Sequence, residues 1–110
     1  MTFATIESEL RALFEQSKQG DQQAYTQLLH RIAALMRAYV RRRLTRQEAD
    51  VEDLDQEVLL AVHTKRHTYD DSQPITAWMH AITRYKLIDF WRRVGRLSEH
   101  GLSDEDATAQ

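Results

Sequence analysis

The sequence predicts an all-α domain, a compact bundle of three long helices plus a short N-terminal helix. Apolar residues recur at helical spacing over most of the chain, and no segment shows the alternation of a half-buried strand. Gly20, Pro74 and Gly95 fall between the periodic segments, where helices are expected to break. A length of 110 residues is that of one domain with a modest core.

The first two helices are predicted near residues 4–18 and 21–44. The apolar residues of the first are Ile6, Leu10, Leu13 and Phe14. Gly20 follows it, and Asp21 is a plausible N-cap of the second helix. The stripe of the second helix keeps helical spacing throughout and consists of Tyr25, Leu28, Leu29, Ile32, Leu35, Met36, Tyr39 and Val40.

The third helix is predicted near residues 48–67. Its start is open by several residues, because Thr45 with Glu48 and Asp50 with Asp53 both resemble capping arrangements. Its inward face is predicted to be Val51, Leu54, Val58, Ala61 and Val62. The segment "HTYDDSQP" then reads as a loop, since Asp, Ser and Pro favour turns.

The fourth helix is predicted near residues 74–94, with Pro74 in its first turn and Gly95 at its end. Its inward face is predicted to be Ile75, Trp78, Met79, Ile82 and Tyr85, with Asp89 returning to that face to pair with an arginine of the second helix. The side chains predicted to project away from the core are Thr76, His80, Arg84, Leu87 and Trp91. Residues 96–110 are polar, acidic and aperiodic, and we expect a flexible linker or tail there.

Several classes of protein are excluded by composition. The chain has no cysteine, which excludes a disulfide scaffold and thiolate metal sites. It has no membrane-length apolar run and no secretory signal, so we expect a cytoplasmic protein without membrane insertion. No catalytic constellation or phosphate loop is present, so we predict no enzyme and no cofactor. His63 and His67 have the spacing of a metal pair, but no third ligand is suggested and no metal site is predicted.

Charge is distributed in blocks, although the net charge is only −2. Residues 31–46 contain six arginines and no acid, whereas residues 48–57 contain six acids and no base. Residues 84–96 contain five bases against Asp89. Such asymmetry indicates surfaces with different partners, although charge runs are often only solvated helix faces.

The acids of the third helix include an outer stripe. Asp53, Gln56, Glu57 and Leu60 follow one another at i, i+3, i+4 and i+7, opposite the apolar face. Like charges such as Asp53 and Glu57 disfavour an isolated helix by roughly 0.2–0.5 kcal/mol. Two explanations are open at this point: a basic partner covers the stripe, or the acids face the arginines at 37 to 46.

The segment "ADVEDLDQEVLLAV" resembles the polymerase-docking helix of bacterial RNA polymerase sigma factors of the extracytoplasmic-function group. The segments "GDQQAYTQLLHRIAALMRAYVRRRL" and "AWMHAITRYKLIDFWRR" resemble the same family, in the same order. The resemblance covers about residues 20–93. It implies region 2, the part that docks on the clamp helices of the largest subunit of core RNA polymerase and recognises and melts the promoter −10 element.

The resemblance also implies roles for individual residues. Asp53, Gln56 and Glu57 match the docking motif, and Leu60 borders it. The residues expected to contact the non-template single strand of the −10 element are Lys65, Arg66, Tyr69, Ser72, Thr76, His80, Arg84, Lys86, Trp91 and Arg92. An anti-sigma factor is a further expected partner. Asp55, Leu59 and His63 depart from the pattern, because the family often has an apolar residue at the first position and an aromatic residue at the other two.

Two other functions stay open on the sequence alone. One is a helical regulator that binds duplex DNA, although the loop before Ile75 is longer than a helix-turn-helix normally uses. The other is a protein-interaction module, such as an adaptor or anti-sigma-binding domain, without DNA affinity of its own. Nothing after residue 95 resembles the family's −35-binding region, so we expect an isolated N-terminal domain.

Overall fold

A computed structural model describes residues 3–44 and 48–98 of the chain. The α-helices are α1 (Phe3–Lys18), α2 (Gln22–Arg43), α3 (Glu48–Lys65) and α4 (Ile75–Ser98). A 3-10 turn (Arg66–Thr68) follows α3. The described residues contain no strand, and the predicted all-α fold is confirmed.

The junction between α1 and α2 has the predicted chemistry. Gly20 has a φ of +98°, a left-handed conformation that ends α1 and that glycine adopts without steric cost. Asp21 is the N-cap of α2, and its carboxylate accepts a hydrogen bond of 3.0 Å from the backbone N–H of Ala24. The two helices are therefore joined by a short turn that fixes them side by side.

The core lies where α2 packs against the other three helices. Its main cluster consists of Leu10, Phe14, Leu28, Ile32, Met36, Val58, Ala61, Val62, Ile75, Met79 and Ile82. A second cluster, at the far end of α2, consists of Val40, Leu44, Val51, Leu54 and Leu87. The predicted inward face of α3 is confirmed, since its five members are all buried. α3 therefore directs its opposite face to solvent.

The third helix begins at Glu48 and ends at Lys65, two residues before the predicted end. The chain then tightens into the 3-10 turn, as often happens at a helix C-terminus. Of the two capping arrangements considered for its start, the one with Thr45 lies outside the described residues.

The prediction that Gly95 ends the fourth helix is wrong. α4 continues to Ser98, and Gly95 is buried within it. Glycine costs only about 1 kcal/mol inside a helix, and no proline follows to stop the chain. Residues 96–98, assigned to the tail, therefore belong to the helix, and the rest of the predicted tail, 99–110, lies outside the described residues.

The predicted faces of α4 also need correction. Thr76 and Leu87 are buried at 1% exposure instead of projecting outward, whereas Tyr85, predicted to face the core, is 68% exposed. Threonines account for part of the error, because Thr83 is also fully buried. Its hydroxyl donates to the carbonyl of Met79, so burial leaves no unsatisfied polar group. A search for apolar residues alone misses such positions.

In the described part of the chain, no helix is both long enough and apolar enough to span a membrane.

Candidate functional site

The acids of α3 form two sets, and the first set faces α2. Arg37 lies 3.0 Å from a carboxylate oxygen of Glu52 and 3.2 Å from one of Asp55. Arg41 pairs with Glu48. The explanation that the acids face the arginines of α2 is therefore correct for these three residues.

The second set is the predicted outer stripe. Asp53, Gln56 and Leu60 are exposed, and Leu60 is 66% exposed despite being apolar. Asp53 has no ion-pair partner in the described ranges 3–44 and 48–98. Glu57 is less exposed and lies 3.3 Å from the guanidinium of Arg93 on α4. The stripe therefore presents a free carboxylate, an amide and a leucine to solvent.

Asp55 belongs to the core despite its charge. Its side chain is 2% exposed, and its Oδ1 has no hydrogen-bond partner. Burial raises the pKa of Asp55, and the charge of Arg37 opposes this rise without cancelling it, while Glu52 adds to it. This acid stands where the family usually has an apolar residue, and its burial is consistent with that pattern.

The loop before α4 is held together by its own side chains. The hydroxyl of Tyr69 donates to the carbonyl of Gln73 at 2.6 Å. Asp70 accepts from the backbone N–H of Ser72 at 3.0 Å and from its hydroxyl at 2.8 Å. These hydrogen bonds hold the pKa of Asp70 below its usual value. Ser72, a predicted DNA contact, is thus an exposed part of a local turn.

A cleft of about 220 Å³ opens between this loop and α4. The residues that line it are Thr68, Tyr69, Asp70, Gln73, Ala77 and Trp78. The ring of Tyr69 lies 5.5 Å from the ring of Trp78 and 5.2 Å from that of Phe14. Tyr69 therefore packs beneath the loop and also forms a wall of the cleft. Two aromatic rings and several hydrogen-bonding groups make the cleft suited to a planar polar ligand.

Cationic side chains lie on the solvent side of α3 and α4. Lys65, Arg66, Arg84 and Arg92 are exposed, and Lys86 is half-buried. Thr68, in the same 3-10 turn as Arg66, lines the cleft, so the group begins beside the cleft. The exposed members Lys65, Arg66, Arg84 and Arg92 are termed the cationic track, because exposed cations of this kind bind phosphates. Lys86 lies about 200° around α4 from Arg84 and is not part of it.

Tyr85 is the functional candidate that sequence reasoning missed. It is the most exposed large apolar side chain of the described residues, and the Lys65 ammonium lies 5.7 Å from its ring centre. Arg84 precedes it. Only its neighbours in the sequence, Arg84 and Lys86, indicate an exposed position. An aromatic residue at core spacing on a helix otherwise usually belongs to the core.

Three of the residues predicted to contact DNA from α4 do not project fully into solvent. Thr76 is buried and bonded to Glu7. His80 is half-buried, with its ring centre 5.0 Å from that of Tyr39. Trp91 is half-buried against the second core cluster. The predicted pairing of Asp89 with an arginine of α2 is also wrong, since it lies 3.9 Å from Arg93 on its own helix.

His63, in the last turn of α3, and His67, in the 3-10 turn that follows, are both exposed. His63 Nδ1 lies 2.6 Å from the hydroxyl oxygen of Tyr25 and 3.3 Å from an Arg66 nitrogen. No group of three or more potential metal ligands occurs in the part of the chain that the structure describes. The His63 ring is thus engaged by neighbouring side chains.

Comparison with known proteins identifies the family. Residues 23–97 match the family model described as sigma-70 region 2. The chain is 52% identical over 87 residues to the ECF RNA polymerase sigma factor SigF of Caulobacter vibrioides, covering 79% of this chain and 49% of that protein. It is 38% identical over 90 residues to the ECF RNA polymerase sigma factor ShbA of Streptomyces griseus, covering 77% and 47%.

The chain belongs to the extracytoplasmic-function sigma factors and contains their region 2. It spans about half the length of the curated relatives it matches. No solved structure gives a significant match to it.

Proposed function

We propose that this domain docks on core RNA polymerase through the outer stripe of α3 and captures the non-template strand of the promoter −10 element beside α4. The basic residues of the polymerase clamp helices are the expected partners of the stripe. The domain catalyses no reaction itself and acts in the cytoplasm, where the polymerase is found.

The division of the α3 acids carries the proposal. Glu48, Glu52 and Asp55 are paired with arginines of α2, so their charges need no external partner. Asp53 and Gln56 are exposed on the opposite side and have Leu60 beside them. Carboxylates bordered by an apolar side chain suit an interface with arginine-rich helices. Glu57 already lies 3.3 Å from Arg93, so Asp53 is the carboxylate of the stripe that is left for an external partner.

The docking test measures the affinity of the clamp-helix fragment for the chain by fluorescence anisotropy. We expect joint replacement of Asp53 and Gln56 by alanine to weaken binding by about 10- to 100-fold, the value of one or two charge-assisted hydrogen bonds. Glu48→Ala is the matched control, because it removes an acid from the same helix that pairs internally. Equal binding by the parent and the double variant would contradict the docking surface.

The proposed DNA site combines the cleft with the cationic track. An unstacked base enters between the loop and Trp78, and the exposed cations Lys65, Arg66, Arg84 and Arg92 contact the phosphates. Lys86 is left out because it faces the opposite side of α4 from Arg84. Tyr85 adds an exposed ring on which a neighbouring base stacks, a contact worth about 1–3 kcal/mol. Thr76 is left out of this set because its hydroxyl is buried against Glu7.

A second candidate function is binding of an anti-sigma factor. Leu60, Tyr85 and Ile88 are exposed large apolar residues, at 66%, 68% and 39%. They flank the line of contact between α3 and α4, along which Glu57 meets Arg93. A partner that covers these side chains would block docking and strand capture together. Competition between the partner and the clamp-helix fragment would distinguish this function from an independent site.

A further inference from the structure

One face of α1 is directed at the loop and at the start of α4. The four residues that make these contacts are spaced at i, i+4, i+7 and i+11 and are Glu7, Arg11, Phe14 and Lys18. Such spacing places them on one side of the helix. This helix precedes residues 23–97, which match the family model.

Glu7 caps α4 from a distance of 68 residues in sequence. Its carboxylate accepts from the backbone N–H groups of Ile75 at 2.8 Å and Thr76 at 3.0 Å, and from the Thr76 hydroxyl at 2.8 Å. Pro74, the residue before the helix, has no side-chain acceptor with which to form a cap. The first turn of α4 therefore depends on α1 for its hydrogen bonds.

The charge state of Glu7 fits this role. Burial raises its pKa, but the N–H groups of Thr76 and Ile75, the Thr76 hydroxyl and the charge of Arg11 together outweigh burial and lower it. An ionised carboxylate accepts stronger hydrogen bonds from the helix N-terminus than a neutral group does.

The rest of the face holds the loop. Arg11 donates to the backbone carbonyl of Asp71, and Lys18 lies 3.6 Å from its carboxylate. The ring of Phe14 meets that of Tyr69 edge to face, at 5.2 Å and 83°. Tyr69 is a wall of the cleft, so α1 contacts both the loop side of the cleft and the start of the helix that forms its other side.

We propose that α1 is a positioning element for base capture, in which Glu7 fixes the first turn of α4 and Arg11, Phe14 and Lys18 fix the loop, so that the cleft is formed before DNA arrives. This rests on the proposed function. A preformed cleft binds its base without first ordering the loop, which would otherwise reduce the apparent affinity.

The experiment compares the parent with Glu7→Gln, each bound to core polymerase. The probe is a single-stranded oligonucleotide selected from a random pool by the parent complex, and its partner is the same oligonucleotide with an abasic site at the captured position. We expect Glu7→Gln to bind the intact oligonucleotide roughly 3- to 10-fold more weakly, the effect of losing a helix cap on the competent population. We expect its affinity for the abasic oligonucleotide, and for polymerase, to equal that of the parent.

Glu9→Gln is the matched control. It removes a carboxylate from the same helix, but one that pairs with Arg31 of α2, away from the loop. It is expected to bind both oligonucleotides as the parent does. Arg11→Ala, at an exposed side chain that contacts Asp71, is a second test that leaves the core intact, and it should reproduce the selective loss.

The outcomes separate this inference from the function on which it rests. A parent that discriminates between the two oligonucleotides, with Glu7→Gln and Arg11→Ala discriminating equally well, would overturn the positioning role alone. An equal loss for both oligonucleotides would mean that Glu7 only stabilises the fold, which also overturns it. A parent complex that binds polymerase but does not discriminate would overturn the proposed base capture and this inference with it.

Discussion

Replacement of the buried Asp55 by leucine is expected to stabilise the domain at neutral pH. The Asp55 side chain is 2% exposed, and one of its oxygens has no hydrogen-bond partner. Leucine has the same branching at Cγ, so it fits the site with little rearrangement. Arg37 is not left as an isolated buried charge, because it is 36% exposed and keeps Glu52 at 3.0 Å.

The size of the effect follows from opposing contributions. Burying a leucine side chain contributes about 1.5–3 kcal/mol relative to leaving it exposed. Loss of the attraction to Arg37 and some crowding in the core remove part of this gain. We expect a net increase in the free energy of unfolding of about 1 kcal/mol. In a domain of this size that raises the Tm by roughly 4–8 °C.

The effect should depend on pH. Burial raises the pKa of Asp55 in the folded state against the opposing charge of Arg37, so the folded protein binds the proton more tightly than the unfolded chain. The parent therefore gains stability as the pH falls through the raised pKa, and this gain is complete below the ordinary aspartate value of 3.8. The advantage of the leucine variant is largest at neutral pH and shrinks on acidification.

Urea unfolding followed by circular dichroism measures this prediction at neutral pH and near pH 3.8. Asp53→Leu is the control, since that exposed position should change stability by less than about 0.5 kcal/mol. An Asp55→Leu variant less stable than the parent at neutral pH would refute the reasoning. It would mean that the attraction of Arg37 exceeds the cost of burying the carboxylate.

Three further predictions concern Tyr85, Leu60 and Gly20. Tyr85→Ala should weaken binding of a selected single strand by roughly 5-fold or more, whereas Tyr85→Phe keeps the stacking ring and the affinity. Leu60→Ala should leave the Tm unchanged, because the side chain is 66% exposed, but should weaken binding of the clamp-helix fragment in anisotropy. Gly20→Ala should lower the free energy of unfolding by about 1 kcal/mol, since the φ of +98° strains any L side chain although no atom obstructs it. Gly20→Asn should cost less than Gly20→Ala, and equal stability of both variants with the parent in urea unfolding would contradict the backbone argument.

The helices of the fold were predictable from the spacing of apolar residues and from the positions of glycine and proline. The α2 stripe, the inward face of α3 and the Asp21 cap depend on local spacing, which the sequence contains in full. The end of α4 was not predictable from Gly95, because the packing of the helix outweighs the weak preference of one glycine. The face of α4 was misassigned because it is covered by α1, α2 and α3 together, and because buried threonines carry no apolar signal.

The candidate site was predictable only in part, for a related reason. The spacing of Asp53, Gln56 and Leu60 placed them together on the outer side of α3, as the structure does. The two sets of acids could not be separated, because the pairing of Arg37 with Glu52 and Asp55 depends on how α2 crosses α3. The contact of Glu7 with α4 joins residues distant in sequence, and no local pattern encodes it.

We propose that this domain gives core RNA polymerase the ability to select a single-stranded promoter sequence. The most direct measurement is selection from a random pool of single-stranded oligonucleotides by core polymerase, with and without the chain, followed by sequencing of the retained strands. We expect a short common motif to be enriched only when the chain is present, and joint alanine replacement of Asp53 and Gln56 to abolish this enrichment. If the retained strands have the same sequence composition with and without a bound chain, the domain does not confer sequence selection.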